Sequence, residues 1–286
     1  MQFSDLKKIG VAGSGLMGNG IAQVSAAAGY PVVMCDISMD AVKRGYQAIE
    51  KRIARDVEKG KRSAEDGKAL MERISITDQY EDFADADLVF EVIFEKMDVK
   101  RDFYSKLDAI CKPSCIFASN TSGLSITEMA SITKRAGQFI GTHFFNPVPM
   151  MKLLEIIRGY ETTDETLALA LELGKKLGKE TIIVQEAPLF AVNRILVPML
   201  NEAMFVLYEG IATAEDIDKG MMLGANHPIG PLALADLIGL DTLSMVMETL
   251  HRETGDSKYR VCPLLTKLVR AGHYGRKSGR GFYSYK

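Results

Sequence analysis

Two constellations in this 286-residue chain carry chemistry. The first is Gly13-x-Gly15-x-x-Gly18, which follows a short apolar run from Ile9 and opens at once into a helical pattern. Each glycine answers a mechanical need. Gly13 permits a tight turn, Gly15 lets the backbone approach a pyrophosphate, and Gly18 lets helix and strand pack closely. Gly15, Leu16 and Met17 then begin a helix, whose free N–H groups and positive dipole end attract phosphate. A second apolar run over 31–35 ends in Asp36. A carboxylate at that strand end suits the ribose hydroxyls of a dinucleotide and repels a 2′-phosphate, which points to NAD. A bare glycine pattern also fits an ordinary turn; strand, helix, strand and acid in register select the dinucleotide.

The second constellation is His143 with Glu155. His143 lies on an apolar run over 139–145, and 152–157 reads as a strand returning after Asn146-Pro147-Val148-Pro149. Those prolines cannot sit inside a central ladder, so the reversal belongs between the two runs. By the strand period of two, Leu153, Glu155 and Ile157 share a face. A carboxylate between apolar neighbours needs a partner, and His143 across the turn is the candidate. A carboxylate-oriented histidine is a general acid/base, although a purely structural buried pair has the same signature. His227 in a proline loop, His251 on a polar helix end and His273 in the tail compete poorly. Ligands of open α/β sheets lie beyond the carboxyl ends of the strands. Glu91, Glu95 and the cluster Ser119-Asn120-Thr121-Ser122 all fall at such ends. Asn193, early on a helix, reads either as a cap or as an amide turned into a cleft.

The elements that must position these residues alternate between strand and helix through the first ~185 residues, as in a doubly wound parallel sheet. Further strands are expected at 74–77, 87–93, 115–120 and 181–184, with a helix from about Asp164. Continuous apolar runs of this kind suit strands covered on both faces. The stretch between the second and third strands is too long for one crossover helix. Residues 40–60 and 64–73 both carry helical periodicity, and Ser63-x-x-Asp66 is a plausible capping start. A helical hairpin over about 40–73 follows. It is rich in Lys43, Arg44, Lys51, Arg52, Arg55, Lys59, Lys61 and Arg62, which fits a solvated helix pair or an arm meeting an anionic substrate. Strand signals stop near Pro188, so the expected division is an α/β Rossmann-like domain over 1–187 and an all-helical domain over 188–286. Helices are expected from Asn193 to a stop at Gly210, and at about 214–223, 231–253 and 261–271.

A net charge of −2 with 25% charged residues supplies no global field toward nucleic acid. Cys35, Cys111, Cys115 and Cys262 show no CxxC spacing and no histidine cluster, so neither a disulfide nor a metal site is expected. No apolar run approaches a membrane span, and a first strand beginning by Ile9 leaves no room for a signal peptide. A cytoplasmic protein without membrane attachment is expected, although a processed organellar protein would look the same. The apolar helical faces of the second domain suggest a homodimer formed through it.

At these residues the chain resembles the L-3-hydroxyacyl-CoA dehydrogenases, especially the bacterial 3-hydroxybutyryl-CoA dehydrogenases. The likeness runs through Gly10 to Gly18, Ser119-Asn120-Thr121-Ser122, His143-Phe144-Phe145-Asn146-Pro147-Val148-Pro149 with Glu155, Val192-Asn193-Arg194, Asn226 to Pro231 and Gly275 to Tyr283. The resemblance implies NAD-dependent, reversible oxidation of a short-chain (S)-3-hydroxyacyl-CoA to the 3-oxoacyl-CoA, a step of fatty acid metabolism. It implies His143 as acid/base, Glu155 as its orienting partner, and Ser122 and Asn193 as hydrogen-bond partners of substrate oxygens. Glu95 and Lys100 would line the nicotinamide end, Asp36 the adenosine ribose, and Asn120 would also bind the cofactor. Lys59, Lys61 and Ser63 would meet the CoA nucleotide, whose phosphates explain a basic arm. Two positions depart from the commonest pattern: Gly123 replaces a frequent serine, and Leu189 replaces the glycine that usually follows Pro188. The alternatives are a related dehydrogenase of a free hydroxy acid such as a sugar acid, and a non-catalytic NAD-binding homologue.

Overall fold

In the computed structural model, which describes residues 2–285, the apolar runs of the first half become short strands of one sheet. The chain divides into two compact units, Met1–Ala187 and Pro188–Lys286. In the first unit the strands are β1 (Ile9–Ala12), β2 (Val32–Cys35), β3 (Ile74–Thr77), β4 (Leu88–Glu91), β5 (Ile116–Ser119), β6 (Phe139–Phe144), β7 (Leu153–Arg158) and β8 (Glu180–Gln185). They lie in the order β3-β2-β1-β4-β5-β6-β7-β8. The first six run parallel; β7 is antiparallel to β6, and β8 is parallel to β7. Every residue of β1, β2, β4 and β5 is buried. That is why these strands read as unbroken apolar runs and not as alternating ones.

The helices of this unit are α1 (Leu16–Ala27), α2 (Met39–Glu58), α3 (Ala64–Glu72), α4 (Met97–Ile110), α5 (Ile126–Ser131) and α6 (Asp164–Lys176). α2 and α3 form the hairpin, and each starts on a serine cap: Ser38 accepts from Ala41 N–H and Ser63 from Asp66 N–H. α2 buries Val42, Gly45, Ile49 and Ile53 on one stripe, at helical spacing, and leaves most of its charges outside. β4 is shorter than the apolar run over 87–93. Beyond its ends the backbone still bonds to β1, Asp87 N–H to the Lys8 carbonyl and Val92 N–H to the Ala12 carbonyl. The Asp87 carboxylate accepts from Lys7 and Lys8 N–H, and the Glu91 side chain takes Ile93 N–H. The reversal between β6 and β7 contains a cis Asn146–Pro147 peptide bond. It is pinned by the buried Lys179, whose ammonium donates to the carbonyls of Val148 and Met151.

The second unit consists of α7 (Val192–Tyr208), α8 (Ala214–Gly224), α9 (Pro231–Ile238), α10 (Leu240–Thr254) and α11 (Pro263–Arg270) around Leu200, Met204, Leu232, Leu243 and Leu265. The helix expected over 231–253 is two helices. Gly239 at φ +108° breaks it, a conformation that costs an L side chain heavily. Buried Asp218 on α8 accepts from Leu232 and Ala233 N–H and so caps α9 from outside. Asp236, 1% exposed, accepts from Phe282 and Tyr283 N–H and from the Tyr285 hydroxyl, tying the C-terminal loop to α9.

Candidate active site

The glycine turn sits between β1 and α1, and its three glycines meet different surroundings. Gly13 has φ +101°, and a Cβ there would lie 2.3 Å from the Val92 carbonyl oxygen. A Cβ on Gly18 would lie 1.8 Å from the Gly13 carbonyl oxygen, so strand and helix can meet only without it. Around Gly15 there is open space, which is what a backbone approached by a pyrophosphate requires. Asp36 ends β2 beside this turn. Its Oδ2 accepts from Ser14 N–H at 2.7 Å and from the Ser14 hydroxyl at 2.6 Å, and Oδ1 accepts from Ile37 N–H. A cavity of about 390 Å³ opens here at the carboxyl ends of β1, β2 and β4, lined by Gly13, Gly15, Asp36, Ile37, Phe94 and Phe103. It holds apolar walls for a base, one fixed carboxylate for a ribose, and a helix N-terminus for phosphates. These residues fit a dinucleotide. Cys35 borders the cavity, and burial followed by the charge of Asp36 pushes its thiol up to about 12, so it stays neutral.

The residues expected at the nicotinamide end form one connected group. Lys100, on α4, places its ammonium 2.8 Å from Glu91 and 2.9 Å from Glu95. Glu91 is wholly buried at the end of β4 and also accepts from the hydroxyls of Tyr104 and Ser119. Glu95 is partly exposed and accepts from the Thr121 hydroxyl and from Ser122 N–H. Burial alone would raise the Glu95 carboxyl, but the Lys100 charge and these donors outweigh it and hold it below the usual range. Burial would lower the Lys100 ammonium, and the two carboxylates raise it instead. Glu95, Lys100 and Ser122 are thus brought together. Asn120 uses its side-chain oxygen to accept Phe144 N–H, bracing the end of β6 next to His143. Glu91 is the residue that sequence reasoning noted and left without a role. The signal was its place inside an apolar run, nine residues before a lysine.

His143 and Glu155 face each other in the antiparallel register of β6 and β7. The Nδ1–H donates to Glu155 Oε2 at 2.6 Å, with the carboxylate fully buried and the ring 6% exposed. Phe145 packs against the imidazole, ring centroids 4.6 Å apart. A short charge-assisted bond of this kind fixes ring orientation and tautomer, and proton exchange then falls to Nε2.

On the hairpin, Lys59, Lys61 and Ser63 are exposed at and after the end of α2. The Ser63 hydroxyl is engaged in its cap, accepting Asp66 N–H and donating to the Asp66 carboxylate at 2.7 Å. Arg52, counted among the basic residues of the hairpin, turns inward to α1. In the second unit Asn193 is the second residue of α7; the position before the helix is Ala191, so Asn193 is not its cap. Leu189 stands at φ +64°, where glycine would be free of strain. Among the described residues no group of three or more His, Cys, Asp or Glu is placed to hold a metal ion. No helix of the described residues is long and apolar enough to cross a membrane.

A glycine turn after β1 and a carboxylate after β2 on a doubly wound sheet, with a carboxylate-held histidine on β6, are the arrangement of an NAD-binding dehydrogenase domain. The particular family follows from comparison with known proteins: residues 8–187 match the NAD-binding domain of 3-hydroxyacyl-CoA dehydrogenase, and residues 190–285 its C-terminal domain. The chain belongs to the 3-hydroxyacyl-CoA dehydrogenase family. It is 52% identical over 282 residues to a probable 3-hydroxybutyryl-CoA dehydrogenase of Bacillus subtilis, covering 99% of this chain and 98% of that one. It is 50% identical to the 3-hydroxybutyryl-CoA dehydrogenase of Bradyrhizobium diazoefficiens, covering 98% and 96%. The crystal structure of (S)-3-hydroxybutyryl-CoA dehydrogenase from Ralstonia eutropha superposes with a TM-score of 0.97 at 49% identity, covering 98% and 99%.

Proposed function

We propose that the chain catalyses the NAD-dependent, reversible oxidation of (S)-3-hydroxybutyryl-CoA, or a similarly short acyl-CoA, to the 3-oxoacyl-CoA. The observation that carries this reading is the buried His143–Glu155 pair at 2.6 Å, in the same unit as the glycine turn. Bound NAD supplies the hydride acceptor. His143 Nε2 takes the proton of the 3-hydroxyl in oxidation and returns it in reduction, while Glu155 holds the ring and balances the imidazolium. Ser122, held beside Glu95, donates to a substrate oxygen. For Asn193 the support is the family resemblance, which makes its amide a partner of a substrate oxygen. The exposed cations Lys59 and Lys61 suit the phosphates of CoA.

The working form in this reading is a cytoplasmic homodimer. Exposed Ile195, Ile211, Leu223 and Met245 on the second unit support self-association, and four free, buried cysteines suit a reducing compartment. The test is loss of NADH absorbance with acetoacetyl-CoA, beside free acetoacetate and NADPH. Loss with only the CoA ester and NADH is the expected result; equal rates with free acetoacetate would replace this reading with that of a hydroxy-acid dehydrogenase. Sedimentation at micromolar protein tests the dimer.

A further inference from the structure

Asn19 is the fourth residue of α1, and its side chain points back into the glycine turn. Its Nδ2 donates to the carbonyl oxygens of Gly15 at 2.7 Å and Ser14 at 3.2 Å, while the residue is 5% exposed. A trans peptide is planar, with its C=O and N–H directed oppositely. Holding these two carbonyls on one side therefore aims the N–H groups of Gly15 and Leu16 to the other side, as donors for a pyrophosphate. An amide can do this only if its own rotation is stopped, and the oxygen end of Asn19 is gripped by Arg52. The Arg52 Nη2 donates to Asn19 Oδ1 at 2.7 Å, and its Nε donates to Gln23 Oε1 at 2.7 Å. The planar guanidinium thus bridges two amides one turn apart on α1, a task that suits a fork of fixed geometry.

Arg52 belongs to α2, the long helix of the basic hairpin. Gly45, two turns earlier on α2, also touches the turn: a Cβ there would lie 2.5 Å from the Ser14 carbonyl oxygen. The Ser14 hydroxyl lies 3.1 Å from the Ala41 carbonyl on α2 as well. The hairpin is therefore attached to the dinucleotide turn at three places, by close packing at Gly45, by this contact, and by the hydrogen-bond chain from Arg52 through Asn19.

We propose that Arg52 is a positioning residue for the dinucleotide, acting through Asn19 on the peptide planes of the glycine turn. This cation of the hairpin acts on the cofactor turn through its bonds to Asn19 and Gln23. It orders the Gly15 donor through the Ser14 carbonyl before the cofactor arrives, and reinforces the Leu16 donor, whose peptide the Asn19 N–H also holds at the Gly15 carbonyl. This raises affinity by removing an ordering cost from binding.

The experiment is NADH binding by fluorescence titration for the parent, Arg52→Ala, Asn19→Ala and the double variant, with circular dichroism and thermal melts as controls for folding. Each single substitution is expected to raise the NADH Kd about tenfold, the effect of one lost charge-assisted hydrogen bond. The double variant is expected to bind no more weakly than Asn19→Ala alone, because Arg52 acts through Asn19. A purely structural role would lower the melting temperature of Arg52→Ala and leave its NADH Kd at the parent value, and that result overturns the proposal. So do fold-changes that multiply in the double variant. If Arg52→Ala does not fold, Asn19→Ala, which keeps the Arg52–Gln23 bond, still tests the link, and parent-like NADH binding by it would be fatal. Failure of the parent to bind NADH would overturn the dinucleotide reading itself.

Discussion

Lys100 reaches Glu91 at 2.8 Å with both side chains closed to solvent, and its ammonium also meets Glu95 at 2.9 Å. Two carboxylates thus share one cation at the end of β4. Lys100→Met leaves both acids without it and is expected to cost about 3–5 kcal/mol in urea denaturation, as for a broken buried pair. Glu91→Gln should cost less, since Lys100 keeps Glu95.

The same group sets a pH window. The folded Glu95 pKa lies below its ordinary 4.5, so its contribution is complete above that value and is lost as pH falls through the lower folded one. The folded Lys100 pKa lies above its ordinary 10.5, so its contribution is complete below that value and is lost as pH rises through the higher folded one. Stability from this group should be flat between these limits. In a series of urea midpoints against pH, Lys100→Met should lack the alkaline loss; an unchanged alkaline limb would assign it elsewhere.

His143→Gln removes the group that exchanges the proton and leaves the glycine turn untouched. Turnover with acetoacetyl-CoA should fall by about 10² or more, with NADH affinity near the parent value. Undiminished turnover would remove His143 from the chemistry.

Asp36→Ala deletes the carboxylate that Ser14 holds with two hydrogen bonds. NADH should bind more weakly and its advantage over NADPH should narrow, because the repulsion of a 2′-phosphate goes with the charge. An unaltered ratio of the two affinities would refute the assignment.

Neutralising Lys59, Lys61 and Arg62 together should raise the KM for the CoA ester and leave the NADH Kd near the parent value. With the opposite behaviour expected of Arg52, the hairpin separates into an outer part that meets substrate and an inner part that meets the cofactor turn. A fall in NADH affinity in the triple variant would erase that separation.

Leu189 pits two costs against each other. Its φ of +64° strains an L residue by about 1–2 kcal/mol, yet its side chain is 3% exposed in the core of the second unit. Truncating a buried leucine costs about 2–5 kcal/mol. The packing loss is the larger, so Leu189→Gly should lower the urea midpoint although it relieves the backbone. A raised midpoint would show that strain dominates.

Much of this was legible because the signals are local. A glycine that must lie against a carbonyl, an acid at a strand end and a histidine and glutamate astride a proline turn are short-range patterns with few physical solutions. The break at Gly239 was missed because a single glycine within 231–253 is compatible with a continuous helix until its φ is known. The carboxylates of Asp87 and Glu91 accept from Lys7 and Ile93 N–H, and sequence does not say which donors a carboxylate will choose.

By itself, then, the order of residues determined the alternating α/β plan, the dinucleotide turn and the pairing of His143 with Glu155, since periodicity and turn chemistry act over a few residues. Tertiary structure alone decided what the charged residues do. Arg52 and Lys59 are alike on paper, one turned inward to Asn19 and the other out to solvent. Glu91 has its cation because α4 folds back over the end of β4. Charge is written in the sequence, but the partner that gives it a function is chosen by packing, between elements the chain brings together only when it folds.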